Sequence, residues 1–554
     1  MNAEQSRTRA RVLRNLAFAL VAVSIVLVAL ELLARLSGAA RYRSNDSPLP
    51  FQSLGLPPSA PGPSPDSLVL MPSDGTTGAR RTLVAPARKS GFRILTFGGS
   101  ATYGWGFSPL ASFSGKLQKG LLGLSPPVPV EVVNMGVCGW NSTQVRAFLQ
   151  QALESVEPDL VVIYSGNNEF IDLQALKVAA RYYSAETEYL RRRLNRSHLY
   201  RLLRAAITPS APPQPGPAGR PVPIREGLKA SLTDEDRAVA SWVYHRNLSA
   251  MVTSAREHGT PIMLATVADN QRDFCSHGCR VDDPATRAWL EQLEESAGSA
   301  SAEEVRSRVA TAPVSLASEA AQFRLGKVFL ELGDVETARG HFEEAERLTR
   351  APQRCTESLR RVVRRVGRET GAAVCDTARL LAARARFGIP GSDLFFDDCH
   401  PNAKGHRYLA EILLTCLVEQ AMLPPEWEAG AGLDAGLERL ATAPRGCPAR
   451  VDDWDEMAVT PERLPPVTGS WCNRVVAGHH AFAAGRYGRA LSAYEGALEA
   501  GGPAGPLEFD RSQAARYGGD LEAARLAAEA AVRAMPGDRD AVNLLALVGG
   551  SAGE

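Results

Sequence analysis

A serine, a histidine and an aspartate stand in surroundings that suggest nucleophilic chemistry. Ser100 follows Gly98-Gly99 directly after the apolar run 93–97, and His400 follows Asp397 by three residues, far downstream. A neutral serine hydroxyl is a weak nucleophile, and an adjacent histidine can take its proton and return it to a leaving group. An aspartate bonded to that histidine fixes its tautomer and stabilises the imidazolium that forms. These residue types predict Ser100 as nucleophile, His400 as base and Asp397 as its orienting partner.

Two segments between Ser100 and His400 contain candidate donors for a developing negative charge. The first contains Gly139, and the second reads Gly166-Asn167-Asn168-Glu169. A tetrahedral oxyanion requires preorganised N–H donors, each contributing roughly 3 kcal/mol in the transition state. We expect these donors to be the Ser100 N–H, the Gly139 N–H and the Asn167 side-chain amide. Taken singly, each residue could equally end a turn or cap a helix, so the hypothesis depends on their joint occurrence.

Short apolar runs and helical segments alternate along this part of the chain. The runs are 93–97, 130–134, 159–164, 261–267 and 372–376, with helical patterns at 113–122 and 143–156. Such alternation predicts a parallel sheet covered by helices. Four polar segments contain Ser100, Gly139, Asn167 and the Asp397–His400 pair. Because ligands bind beyond the carboxyl ends of such strands, these segments should meet at one edge of the sheet.

Taken together, the four polar segments resemble the conserved blocks of the SGNH (GDSL-type) hydrolase family, over about 92–423. The resemblance implies a flavodoxin-like α/β fold and a serine esterase. It implies Ser100, Asp397 and His400 as the catalytic triad and Ser100, Gly139 and Asn167 as the oxyanion hole. It implies no cofactor and no metal ion.

The chain departs from the family pattern at two positions. Gly99 stands where an aspartate is common before the serine, and Asn168 replaces a frequent aspartate. Asp398 competes with Asp397 for the orienting role, but the three-residue spacing to His400 favours Asp397. His406 lies in the following helix without that spacing, so it is not expected to act as the base.

Charge and hydropathy limit the remaining functions. Lys and Arg total 62 and Asp and Glu total 61 among 554 residues, a balance that argues against a nucleic-acid binder. The mean hydropathy of -0.14 excludes a polytopic membrane protein.

Arginines before an apolar run at 16–30 predict a single membrane span with the rest of the chain outside the cytoplasm. A cleaved signal peptide is the competing interpretation.

Composition also predicts the order of domains. Residues 37–90 are rich in Pro and Ser, the insert carries many arginines, and two regions fit the 34-residue frame of a tetratricopeptide repeat. The arginines could contact anionic lipid headgroups or form a solvated helix face. The predicted order is a cytoplasmic tip at 1–14, a transmembrane signal anchor at 15–36, a spacer at 37–90, the hydrolase domain at 91–423 with a helical insert at 171–258 and a repeat-like hairpin at about 319–352, a linker at 424–470 and repeats at 471–554.

Nine cysteines are present, an odd number that leaves at least one thiol outside any bridge. If the body is exported, Cys275 with Cys279 and Cys447 with Cys472 are the expected pairs. A metal site at Cys275 and Cys279 is disfavoured because no second pair of ligands lies nearby. Arg272 could bind an anionic group of a substrate or pair with Asp269 or Asp273.

Three hypotheses follow for the function. The first is an extracytoplasmic, membrane-anchored serine esterase that cleaves an acyl ester on a carbohydrate or lipid of the cell envelope. The second is an O-acyltransferase that passes the acyl group to a polysaccharide hydroxyl at the same site. The third is a repeat scaffold that binds a protein partner and carries a weak or vestigial hydrolase domain.

Overall fold

A computed structural model describes most of the chain. The described residues are 3–36, 60–61, 66–70, 83–174, five isolated positions between 194 and 203, 231–276, 280–428, 432–441, 450–457, 459 and 463–549. They divide into two compact units, one of Met1–Ser53 with Gln174–Ala230 and one of Leu54–Leu173 with Ser231–Glu554.

The first unit contains one long helix, α1 (Ala3–Leu36). Glu31, the acid that interrupts the apolar run, accepts hydrogen bonds from Ser197 Oγ at 2.6 Å and Leu199 N at 2.9 Å. Within the described residues, no helix is long and apolar enough to cross a membrane. The anchor predicted at 15–36 is therefore not confirmed, and most of the insert between 175 and 230 lies outside the described residues.

The second unit contains all eight strands of the described chain. They are β1 (Ala60–Pro61), β2 (Ser67–Val69), β3 (Val84–Pro86), β4 (Phe92–Gly98), β5 (Val130–Asn134), β6 (Leu160–Tyr164), β7 (Ile262–Ala265) and β8 (Ala373–Cys375). The last five form a parallel sheet in the order β5-β4-β6-β7-β8. The predicted runs and the observed strands agree to within two residues at each end.

The chain crosses from one side of β4 to the other between β5 and β6. Thr96 of β4 is in register with Asn134 of β5, and Gly98 is in register with Tyr164 of β6. A reversal of strand order of this kind opens a crevice beyond the carboxyl ends of the strands, where ligands bind. The crevice lies directly after Gly98, at the position of Ser100.

Helices cover both faces of this sheet, as the near-complete burial of β4 to β7 requires. From Ser100 to Glu419 the described helices are α2 (Ser100–Tyr103), α3 (Phe113–Gly123), α4 (Ser142–Ser155), α5 (Asp234–Glu257), α6 (Pro284–Ala297), α7 (Ala302–Ala310), α8 (Glu319–Glu331), α9 (Val335–Leu348), α10 (Glu357–Thr370), α11 (Thr377–Ala382) and α12 (Ala403–Glu419). α4 and α10 pack on α5, and α3 packs on α12.

The predicted linker at 424–470 is partly helical and packed. It contains α13 (Pro425–Glu428) and α14 (Gly432–Ala441), and α14 lies against α3. A Cβ on Gly123 would lie 2.6 Å from the Cα of Gly436, so the two helices touch through glycine backbone. Composition could not reveal this contact, because the glycines that allow it are also typical of linkers.

Five helices end the described chain: α15 (Trp471–Ala483), α16 (Tyr487–Glu499), α17 (Ala504–Gly518), α18 (Leu521–Ala534) and α19 (Arg539–Gly549). α15 packs on α16 and α17 packs on α18, as hairpins. A Cβ on Gly478 would lie 2.4 Å from Tyr494 Cε1, and one on Gly326 in α8 would lie 2.7 Å from Phe342 Cε1 in α9. These contacts between a small residue and an aromatic ring are those expected of the repeat frame, and the assignment to tetratricopeptide repeats stays a prediction.

The spacer predicted at 37–90 contains short folded segments among its described residues. β1, β2 and β3 form an antiparallel sheet, and Leu70, Leu83 and Val84 are buried. Arg516 of α17 donates to the carbonyl of Val84 and pairs with Glu131 of β5, which also pairs with Arg93 at 2.9 Å. Burial alone would raise the pKa of Glu131, but the two guanidinium groups hold it below its usual value.

One disulfide joins β8 to α12, between Cys375 and Cys416. The sequence did not reveal it, because the two cysteines are 41 residues apart and carry no motif. Cys275 and Cys472 are each disulfide-bonded. Their expected partners, Cys279 and Cys447, lie outside the described residues, so both pairings stay predictions.

Replacing Cys375 and Cys416 together by serine is expected to lower the free energy of unfolding by about 2–4 kcal/mol, because the loop that the bridge closes gains entropy in the unfolded chain. Urea unfolding followed by circular dichroism measures the change. Reducing agent should lower the midpoint of the wild type at least as far, because it also opens the bridges of Cys275 and Cys472. Equal midpoints for the oxidised wild type and the double variant would show that the bridge contributes nothing.

Candidate active site

Ser100 stands at a tight turn between β4 and α2. A Cβ on Gly98 would lie 2.0 Å from the carbonyl oxygen of Tyr164 and 2.1 Å from Thr102 Oγ1, so only glycine allows this approach of β4 to β6. Thr102 Oγ1 donates to the same Tyr164 carbonyl at 2.8 Å, which fixes the first turn of α2. The turn thereby presents the Ser100 hydroxyl in the crevice at the edge of the sheet.

His400 lies between Ser100 and Asp397. Its Nε2 is 2.7 Å from Ser100 Oγ, and its Nδ1 is 2.6 Å from Asp397 Oδ2. The three residues that were predicted to act together therefore form one hydrogen-bonded line, although 300 positions separate serine from histidine. In this arrangement Nε2 can accept the hydroxyl proton while Asp397 stabilises the resulting imidazolium.

The loop that carries Asp397 and His400 is fixed by its own hydrogen bonds. Asp397 Oδ1 accepts from the backbone N–H of His400 at 2.8 Å and of Cys399 at 3.0 Å, and Asn270 Nδ2 donates to the Asp397 carbonyl at 2.9 Å. Burial alone would raise the pKa of Asp397, but the hydrogen bond and charge of His400 and these N–H groups hold it below its usual value. Burial and the adjacent Asp397 raise the pKa of Asp398. Asp397 is therefore the carboxylate that orients His400.

Gly139 and Asn168 lie beside this turn. Gly139 has φ +78°, which favours glycine, and Asn168 Nδ2 donates to the carbonyl of Trp140 at 2.9 Å. A Cβ on Gly99 would lie 2.6 Å from Asn168 Nδ2 and 3.1 Å from the Trp140 carbonyl oxygen. The second and third polar segments therefore close directly over the residue before Ser100, which explains why Gly99 carries no side chain.

The two adjacent asparagines have different partners. Asn167 Oδ1 accepts from the backbone N–H of Cys355 at 3.0 Å, whereas Asn168 holds its amide nitrogen beside Gly99. Asn168 Nδ2 therefore lies beside the residue that precedes Ser100, which makes Asn168 a second candidate for the side-chain donor. Asn168 replaces the frequent aspartate of the family and was not among the predicted donors. A Gly-x-Asn pattern that begins at Gly166 ends at Asn168, so this spacing could have identified Asn168 as a candidate donor from the sequence.

Glu169 connects the third polar segment to the second. Its carboxylate accepts from the N–H and the hydroxyl of Ser142, at 2.9 and 2.7 Å, and Asn247 Nδ2 donates to Ser142 Oγ at 2.9 Å. Burial raises the pKa of Glu169 to about 7, despite the hydrogen bonds from Ser142. Ser142 begins α4, three residues after Gly139, so Glu169 holds the turn that carries Gly139.

Replacing Glu169 by Gln is expected to remove part of the pH dependence of stability. The folded-state pKa of about 7 lies above the ordinary glutamate value. The wild type should therefore lose up to about 3 kcal/mol of stability as the pH rises from about 4 to about 7, because the buried carboxyl must ionise. Glu169→Gln cannot ionise and should show a flatter profile. Urea midpoints across this pH range test it, with the exposed Glu154→Gln as control, and parallel profiles for Glu169→Gln and the wild type would contradict the assignment.

Two other residues considered from the sequence have structural partners. Arg272 is buried, pairs with Asp273 at 3.0 Å and Asp393 at 2.6 Å, and donates to the carbonyl of Arg386. Burial alone would raise the pKa of Asp273, but these contacts and those of neighbouring groups lower it to about 2. Arg272 thus stabilises the loops rather than facing a substrate. His406 is fully buried, and its Nδ1 accepts from the N–H of Phe113 at 3.2 Å.

The loop at 397–400 also brings together possible metal ligands. Ligand atoms of Asp397, Asp398, Cys399 and His400 lie within 4.8 Å of one another. Both ring nitrogens of His400 are already engaged, by Asp397 and by Ser100. A metal ion held there would take His400 away from the serine, so the donor set fits the serine mechanism better than a metal site.

Comparison with known proteins assigns the chain to a family. The family model described as GDSL-like Lipase/Acylhydrolase matches residues 96–408, which is more than half of the 554 residues. The chain belongs to the GDSL-like lipase/acylhydrolase family. It is a hydrolase that acts on ester bonds, and the family predicted from the four polar segments is confirmed. A search of the curated proteins gave no match.

Several solved structures are similar to this chain. A GDSL-like lipase from Bacteroides thetaiotaomicron is 10% identical, with 59% of this chain and 88% of that chain covered and a TM-score of 0.27. A catalytic mutant of Axe2, an acetylxylan esterase from Geobacillus stearothermophilus, is 15% identical, with 60% and 96% covered and a TM-score of 0.28. A GDSL-like lipase from Parabacteroides merdae is 12% identical, with 59% and 96% covered and a TM-score of 0.28.

Proposed function

We propose that this chain is an exported, membrane-anchored serine esterase in which Ser100, His400 and Asp397 are the catalytic residues. The observation that carries the proposal is the line of hydrogen bonds from Ser100 Oγ through His400 to Asp397, at 2.7 and 2.6 Å. The line supplies a nucleophile, a base within hydrogen-bond reach and a carboxylate that orients the base.

The geometry accounts for both halves of ester cleavage. In the first half, Ser100 Oγ attacks the acyl carbon as His400 Nε2 takes the hydroxyl proton, and the carbonyl oxygen becomes an oxyanion. The Ser100 N–H, the Gly139 N–H and the amide of Asn168 stabilise that oxyanion, with Asn167 as the alternative third donor. Protonated His400 then gives its proton to the oxygen of the leaving alcohol. The alcohol departs, and the acyl group stays bound to the serine. In the second half, water repeats the attack and releases the free acid and Ser100.

The proposed substrate is a small acyl ester on a carbohydrate or lipid of the cell envelope. Export is supported by the basic tip before the apolar run at 16–30, because basic residues favour the cytoplasmic side. It is also supported by the Cys375–Cys416 bridge and the bonded state of Cys275 and Cys472, because disulfides persist in oxidising compartments. The proposed location is the outer side of the cytoplasmic membrane, with residues 15–36 as the anchor.

Labelling with a fluorophosphonate tests the assignment of the nucleophile. The probe should attach to Ser100 of the full chain in detergent, and mass spectrometry of the peptides should find the adduct there. Heat-denatured protein is the control, because an unactivated serine hydroxyl does not react. An adduct on another serine, or none, would contradict the proposed nucleophile. A separate incubation with an ester and an added glycoside distinguishes hydrolysis from acyl transfer. Acyl groups found on the glycoside instead of as free acid would indicate transfer.

A further inference from the structure

Three aromatic rings form a cluster at the mouth of the crevice. The Phe396 ring lies 5.6 Å from the His400 ring at an interplanar angle of 15°, and the Trp105 ring lies 5.6 Å from Phe396 and 4.9 Å from His400. Trp105 is 47% exposed although it sits on the catalytic histidine. Large aromatic groups left exposed beside a reactive site mark a surface that a ligand covers.

The backbone holds Trp105 in a defined position. Gly104 and Gly106, on either side of it, have φ of +73° and +88°, and the Trp105 N–H donates to the carbonyl of Ser100 at 3.1 Å. These left-handed conformations suit glycine and strain other residues. The indole is therefore presented at a fixed place relative to the nucleophile, so little further ordering would be needed when a ligand binds.

Met457 completes this surface from a distant part of the chain. A Cβ on Gly106 would lie 3.0 Å from Met457 Cε and 3.7 Å from Phe396 Cζ, so both side chains lie close over the glycine. Met457 ends the segment 450–457, which we call the strap. The strap is fixed by an ion pair between Asp455 and Lys116 of α3 at 2.5 Å and by Trp454, whose ring meets His480 of α15 edge-on at 4.6 Å.

The position of His400 indicates which part of an ester this surface meets. His400 Nε2 must come within hydrogen-bond distance of the leaving oxygen to protonate it, so the alcohol lies on the histidine side of the reacting carbon. The carbonyl oxygen of the acyl group lies on the opposite side of the reacting carbon, toward Gly139 and Asn168. Side chains that pack on the imidazole therefore contact the alcohol and not the acyl group.

From this placement we infer that Trp105, Phe396 and Met457 form a subsite for the alcohol part of the ester, which binds the apolar face of a pyranose ring. A flat, half-open indole matches the flat C–H face of a sugar, whose hydroxyl groups can stay in water. A long alkyl alcohol would gain most from a pocket that encloses it on all sides. The inference rests on the proposed esterase function and adds the class of alcohol.

Paired acetate esters test the subsite, because they share an acyl group and differ only in the alcohol. Trp105→Ala should lower kcat/KM for glucose pentaacetate about fivefold more than kcat/KM for ethyl acetate, since ring stacking contributes roughly one kcal/mol. Met457→Ala should give a smaller loss of the same kind. Trp105→Phe should retain most of the activity on the sugar ester. Trp242→Ala, which removes an exposed tryptophan from α5, is the matched control.

The outcomes separate this inference from the proposed function. Equal losses on both esters, or no loss with Trp105→Ala, would overturn the proposed subsite. The esterase assignment would still hold if the remaining activity depends on Ser100. A selective loss on hexyl acetate in place of the sugar ester would show a subsite for alkyl alcohols and would also overturn the inference. Wild-type protein that hydrolyses neither ester nor reacts with a fluorophosphonate would contradict the proposed function itself.

Discussion

Replacement of Ser100 by alanine is expected to lower kcat for ester hydrolysis by on the order of 10⁵- to 10⁶-fold, because no other group can form the acyl intermediate. The 2.7 Å contact between Ser100 Oγ and His400 Nε2 is the basis for this expectation. Release of p-nitrophenol from p-nitrophenyl acetate measures it. The residual rate above water should come from binding and from the oxyanion donors, which the substitution leaves in place.

His400→Ala should cause a loss of similar size, and the double variant should lose little more. Residues that act as one unit are not additive, since removing either one disables the same step. Ser155→Ala, at an exposed position of α4, should leave the rate unchanged. Additive losses in the double variant, or turnover by Ser100→Ala within tenfold of the wild type, would be inconsistent with the proposed triad.

Asn168→Ala is expected to lower kcat about 10²- to 10³-fold with little change in KM, because an oxyanion donor acts mainly in the transition state. The donor must reach the oxygen that develops charge beside Ser100, and Asn168 Nδ2 lies against Gly99. Steady-state kinetics on one ester separates kcat from KM. The unfolding midpoint of each variant shows whether a loss of rate reflects a loss of fold.

Asn167→Ala is the matched comparison, since the neighbouring amide was the donor predicted from the sequence. Its Oδ1 accepts from the Cys355 N–H, so the substitution leaves a buried donor unpaired and should cost about 1–3 kcal/mol of stability. We expect a smaller effect on kcat than with Asn168→Ala. If Asn167→Ala loses kcat by 10²-fold and Asn168→Ala does not, the sequence prediction is correct and the assignment to Asn168 is wrong.

Much of the α/β fold could be predicted because its signals are local. Four strands of the parallel sheet, β4 to β7, are almost completely buried, and all five appear as short apolar runs in the sequence. The contacts that depend on two distant segments could not be predicted. The Cys375–Cys416 bridge and the Gly123–Gly436 approach join residues with no shared motif, and the folded part of the spacer owes its burial partly to α17.

The candidate site also combines residues that local patterns predict with residues that they do not predict. Ser100, Asp397 and His400 occur in short patterns whose spacing reflects backbone geometry, and the structure brings the three together. Asn167 and Asn168 are identical in type and adjacent, so only the Gly-x-Asn spacing from Gly166 distinguishes the two amides in the sequence. Met457 reaches the mouth of the crevice from a segment predicted as a linker, and no local pattern marks it.

The ion pairs of Glu131 have a consequence for how the chain can be divided. This carboxylate in β5 is buried between Arg93 of the sheet and Arg516 of α17. Cutting the chain before α15 would leave the carboxylate inside the sheet with one cation, and removing one partner of a buried charge is strongly destabilising. We therefore expect the hydrolase and the C-terminal helices to unfold together, although composition divides them into separate domains.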